Sequence, residues 1–162
     1  MDGPWRPEGP KLPIEFARVG DKGELATVLC PGAPPSPVRW AKLSTPDLAA
    51  ARQLLRRREE VPRERVDGVG SVVVGQPPGT LLGSAEILAW AAKKQGIDAV
   101  IWTSLPPRLA GIEGRVPSPD EAVAYLKHLS GEERLHAEDY VRRVPGEIET
   151  PNRAALEAAI AS

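Results

Sequence analysis

The chain has 162 residues, 41% of them hydrophobic and 27% charged, with 21 basic against 22 acidic side chains and a formal charge of −1. That is the make-up of an ordinary globular protein with enough chain to bury a core. The even charge balance gives no case for nucleic acid or an anionic membrane, aromatics at 4% are too sparse for a base-stacking platform, and no apolar run approaches a bilayer span.

Residues 1–13 (MDGPWRPEGPKLP) are rich in proline and glycine and read as a loose, flexible tail. They have neither the basic start nor the apolar stretch of a signal peptide, so the expected location is the cytoplasm. The heavy use of Ala, Arg, Pro and Gly fits a GC-rich bacterial genome. Residues 14–162 are expected to form a single α/β domain with a helical portion over 118–162.

Within that domain, residues 14–19 (IEFARV) mix apolar and polar positions as a strand does, residues 20–23 make a turn, and residues 25–30 are again rich in strand formers. Together they predict an antiparallel hairpin. PGAPPSP at 31–37 stops it, and a third strand follows over 38–43. Thr45 is placed to cap the next helix, with Pro46 at its first position and Asp47 at the positive end of its dipole. Leu48, Ala51 and Leu55 fall on one face of that helix, and Arg52, Arg56 and Glu60 on another. Pro62 ends it. The run Arg56-Arg57-Arg58-Glu59-Glu60 with Arg63-Glu64-Arg65 reads as a solvated face of mixed sign.

GVGSVVV at 68–74 predicts a buried strand, Ser84 a helix cap, and AVIWT at 99–103 another buried strand. The C-terminal part is helical. Ser118-Pro119-Asp120-Glu121 is a capping box, and Ala122, Tyr125, Leu126 and Leu129 follow at helical spacing. A second helix turns Ala137, Tyr140, Val141 and Val144 inward. A third starts at Thr150-Pro151 and runs through Leu156 and Ile160. The order strand, helix, strand, helix, strand predicts two βαβ units. The fold class expected is therefore α/β: a mixed sheet with an N-terminal antiparallel hairpin, three parallel strands and a C-terminal helical layer.

In such a sheet the carboxyl ends of the parallel strands share one edge, where ligands bind. Thr103 and Ser104 end the last strand there, Thr45 and Ser84 start helices there, and Arg108 and Arg115 lie in the long loop that follows. Hydroxyls, free helix N–H groups and the planar forks of arginine predict an anionic small molecule, a carboxylate or a phosphate, as the ligand. An enzyme of hydrolase or transferase type is the second reading, with Thr103 or Ser104 as hydrogen-bond donor and Glu113 as acid or base. No paired nucleophile and base supports it. A protein-interaction or regulatory module, docking a partner or a second copy through the C-terminal helices or the hairpin edge, is the third.

Other motifs carry less. The glycines of GVGSVVVG precede a strand instead of following it, and GQPPGT at 75–80 lacks the Gly-Lys-Ser/Thr ending of a phosphate loop, so no cofactor is expected. His128, Glu132 and His136 are spaced by four, but Ser130-Gly131 breaks the helix between them and no metal site is expected. Cys30, the one cysteine, has no histidine near it in the chain and reads as a small buried side chain.

Overall fold

A computed structural model describes residues 2–162. Its strands are β1 (Asp2–Arg6), β2 (Lys11–Val19), β3 (Leu25–Leu29), β4 (Pro35–Pro37), β5 (Trp40–Lys42), β6 (Val69–Val73), β7 (Ala99–Thr103), β8 (Arg108–Leu109) and β9 (Ile112–Glu113). Its helices are α1 (Leu48–Arg58), α2 (Ser84–Ala92), α3 (Pro119–His128), α4 (Gly131–Arg143) and α5 (Pro151–Ala161). The protein is thus a mixed α/β structure. Where a single domain is expected over 14–162, contacts divide the chain into two compact units. The first is Met1–Leu12 with Pro37–Leu105, and the second is Pro13–Ser36 with Pro106–Ser162.

In the first unit, part of the stretch expected as a tail forms strand β1. β1 pairs antiparallel with β5, matching Asp2 to Lys42 and Arg6 to Trp40. Beyond it, Gly9 N donates to Val38 O (2.9 Å) and Val38 N to Pro10 O (3.2 Å). The indole N–H of Trp40 donates to Pro7 O (3.2 Å) and that of Trp90 to Glu8 O (3.1 Å). The two rings meet edge to face, with centroids 5.2 Å apart. Proline-rich chain has few donors of its own, and here its carbonyls are held by donors far along the sequence.

The expected parallel strands are not found here. β6 and β7 pair antiparallel, from Val69↔Thr103 to Val73↔Ala99, and form a sheet of two strands. β5 joins β1 instead of this pair. The reason lies in the connection. A βαβ crossover needs the helix to carry the chain to the far end of the sheet. A helix the length of α2 spans about 13 Å, and a five-residue strand about 17 Å. The ten-residue loop 74–83, stiffened by Pro77-Pro78, has the reach to take the chain away, and α2 brings it back to the edge it left. Val74 N accordingly bonds Asp98 O (2.9 Å). β7 is also only half-buried, not the buried strand its composition predicts.

Two helix starts differ from expectation as well. Asp47, not Thr45, caps α1, its side chain accepting from Ala49 N (3.0 Å). Gly83, at φ 86°, caps α2, and Ser84 is its first helical residue. Both shifts keep a short acceptor or a left-handed residue where the backbone turns into the helix.

In the second unit β2 pairs with β3 as the predicted hairpin, with a bulge between Phe16 and Arg18. β2 also takes β8 on its other side in a parallel pairing at Arg18↔Arg108, and β9 closes on β8 antiparallel. The sheet is therefore mixed, though its parallel pair is not one the sequence predicts. The helical layer forms as expected. Ser118 accepts from Glu121 N (3.1 Å), and Glu121 accepts from Ser118 N (3.2 Å), which completes the capping box. Phe16, Leu25, Ala122, Leu126, Ala137, Val141 and Leu156 make the core, with Leu129, Tyr140, Val144 and Ile160 packed against it. The helical spacing that marks these positions in the sequence is the one that buries them.

Candidate functional site

The residues expected to form one site divide between the two units. Thr45, Ser84, Thr103 and Ser104 belong to the first, and Arg108, Glu113 and Arg115 to the second. Because β6 and β7 are antiparallel, the loops after them leave at opposite ends of the pair, and the shared carboxyl edge does not exist. Thr103 is exposed at the end of β7. Ser104 is half-buried, its N–H donating to Gly68 O (2.9 Å). Thr45 is half-buried ahead of α1, and Ser84 is buried at the start of α2.

The two arginines chosen as anion holders already hold protein carboxylates. Arg108 Nη2 donates to Val19 O (2.6 Å), and its Nη1 lies 3.6 Å from Glu113 Oε1. Arg18, 8% exposed, reaches the other oxygen of Glu113 at 3.1 Å and also donates to Pro106 O (2.9 Å). This brings Arg108 and Glu113 together as sequence reading intended, but as a clasp between β2, β8 and β9. Arg115 pairs with Glu121 (2.5 Å). The backbone N–H of Ser118, then Arg115, hold the Glu121 carboxyl below the usual carboxylate value.

A buried polar network in the second unit was not visible in the sequence. Glu15 is 6% exposed and accepts from Phe16 N (2.8 Å), Thr150 Oγ1 (2.5 Å) and Asn152 N (3.3 Å). Asn152 Nδ2 donates to Phe16 O (3.0 Å) and Pro117 O (3.1 Å). The Glu15 carboxylate and the Asn152 amide N–H groups are held by protein partners, so the network anchors the start of α5 to β2.

Nearby, Cys30 is 2% exposed. Burial first, and the Glu15 carboxylate second, push its thiol above the ordinary value. The folded protein is therefore expected to react with a thiol reagent about tenfold or more slowly than the urea-unfolded chain at mildly alkaline pH. Equal rates would show that the site opens freely. A folded pKa raised above the unfolded one adds stability that is whole below the ordinary thiol value. That stability is lost as pH climbs through the folded value, so Cys30→Ser should flatten the alkaline side of the stability profile. The histidines are set apart. His128 closes α3, while His136 lies in α4 with Nε2 at 3.2 Å from Glu24 Oε2.

One concave surface is lined by more positive than negative charge. At the C-terminal end of α1 an open depression of about 630 Å³ is bounded by Gln53, Arg56, Arg57, Glu60, Pro62 and Arg63. Arg56 is fixed, its Nη1 donating to Pro62 O (2.7 Å) and Arg65 O (3.0 Å). Arg57 and Arg63 are the arginines whose side chains make no hydrogen bond, ion pair or ring contact among the described residues. Glu60 N bonds Arg57 O (3.3 Å) and Val61 N bonds Arg56 O (2.9 Å), the paired bonds of a Schellman turn. Such a turn needs a left-handed residue, usually glycine. Here it is Glu60, at φ 54°. The run that reads as a solvated face thus wraps back on itself and gathers three arginines against one glutamate. Composition alone does not separate those two outcomes. No protein-family model, curated protein or solved structure matches this chain.

Proposed function

We propose that the protein binds a small molecule carrying a phosphate or carboxylate, and that the ligand sits in the arginine-lined depression at the end of α1. The observation that carries this reading is that Arg57 and Arg63 face open space unpaired, beside an Arg56 already fixed by two carbonyls. Guanidinium forks suit anionic groups with two oxygens to offer. Glu60 in a left-handed conformation fits the same reading, since glycine would serve the turn at less strain and an outlier of this kind often marks a site. The dipole at the end of α1 is negative there and opposes an anion, so the arginines must supply the whole attraction.

The test is calorimetric titration with nucleotides, sugar phosphates, acyl-CoAs and dicarboxylates. A ligand of this site should lose about tenfold in affinity or more for each of Arg57→Ala and Arg63→Ala, as expected when a charged hydrogen bond is removed. Both residues are exposed, so the circular dichroism spectrum should not change. Arg108→Ala should leave binding intact. A panel without a hit, or a hit indifferent to both α1 variants, overturns the reading.

A further inference from the structure

We propose that β7 is a self-pairing edge: two copies of the chain join β7 to β7 antiparallel about a two-fold axis at Ile101, making one four-stranded sheet from two two-stranded ones. The phase of the β6–β7 ladder carries the argument. Val74 N bonds Asp98 O and Ser104 N bonds Gly68 O at its two ends. Hydrogen-bonded pairs alternate with non-bonded ones in an antiparallel ladder, so Val72↔Val100 and Gly70↔Trp102 are bonded pairs. Ala99, Ile101 and Thr103 therefore turn their N–H and C=O groups away from β6. Among the described residues no other backbone group bonds them, and the sheet has no third strand.

The outer edge of β6 is less open. Val69, Gly70 and Val72 are buried. β7 is half-exposed from Ala99 to Trp102 and exposed at Thr103. It has no proline, charge or bulge of the kind that protects a free edge, and Val, Ile and Thr favour a strand.

The occupant is a second copy because the edge complements itself. With the axis at Ile101, Ile101 meets Ile101 of the second copy, and Ala99 and Thr103 meet each other twice. That gives three bonded pairs and about six hydrogen bonds. Trp102 falls opposite Val100 of the second copy in a non-bonded pair, its own ring lying over Gly70 of β6. No like charges oppose, and the contact closes on itself instead of growing into a filament.

Sedimentation equilibrium of the full chain at submillimolar concentration should show mass rising from 17.4 kDa toward twice that value. Ile101→Pro removes an outward N–H and spares every bond to β6, so it should leave a folded monomer. Thr103→Lys, at an exposed position, should do the same by placing charge on the edge. Under oxidation Ile101→Cys should crosslink two chains, whereas Val100→Cys, which faces position 102 of the second copy, should not. A wild type that stays monomeric overturns the proposal. So does a dimer that survives both edge variants, or one that crosslinks equally well from either cysteine.

Discussion

Arg153→Ala is expected to destabilise the second unit by about 4 kcal/mol, with each orphaned buried carbonyl costing about 1–3 kcal/mol. Arg153 is 7% exposed, and all five of its guanidinium donors are in use. Nη1 donates to Pro145 O (2.7 Å) and Ile148 O (2.8 Å), Nη2 to Val141 O (2.9 Å) and Val144 O (2.7 Å), and Nε to Glu157 Oε1 (2.7 Å). Val141 and Val144 end α4, where carbonyls have no partner within the helix, so a residue of α5 does the capping for α4. The guanidinium also lies 5.8 Å from the centre of the Phe16 ring. Urea unfolding followed by circular dichroism would measure the loss. Arg153→Lys should recover only part of it, because an ammonium has three donors and no planar fork. Glu157→Ala should cost about 0.5 kcal/mol or less, since that carboxylate is 56% exposed. An Arg153→Ala protein as stable as wild type would mean that water satisfies those carbonyls.

The helices of the second unit were legible in the sequence because their signals are local. A capping box at Ser118 and apolar residues three and four apart determine a helix and its buried face within one short window. Strand direction is not local. Residues 68–74 and 99–103 read as parallel because a helix lies between them. The length of loop 74–83 decides otherwise, and nothing in the strands themselves records it. The same limit hid the N-terminal strand and the segment after it, where Trp40 and Trp90 hold the Pro7 and Glu8 carbonyls.

Site residues failed for a related reason. An arginine in a loop looks alike whether it awaits a ligand or holds a carboxylate. Arg108 and Arg115 hold Glu113 and Glu121, each a few residues ahead. The Arg115–Glu121 pair had a readable sign, since Glu121 was already the residue that closes the capping box. The arginines left free lie in the mixed run that ends α1 and follows it, and only its fold-back at Glu60 separates them from a solvated face.

Strand alternation misled most at Glu15, which a half-exposed strand would turn to solvent. β2 is instead buried on both faces from Ile14 to Arg18, and Glu15 lies beneath the start of α5. Glu15→Ala should therefore cost about 3 kcal/mol or more, because three donors lose their acceptor inside the protein at about 1–3 kcal/mol each. Relief of the buried charge offsets part of this. The offset is small, because the carboxylate meets the Asn152 N–H in the first turn of α5, where the helix dipole favours an anion. Glu15→Gln keeps one acceptor oxygen and should lose less. The Glu15 and Arg153 effects should also fall short of additive. Thr150 Oγ1 donates to Glu15 and accepts from Arg153 N (3.0 Å), so the two side chains act on the same turn of α5. Once Glu15→Ala has loosened that turn, Arg153 is less firmly aimed at its four carbonyls, and its removal takes away less. A double-mutant cycle in urea that gives a coupling near zero would show that the two anchors hold α5 independently.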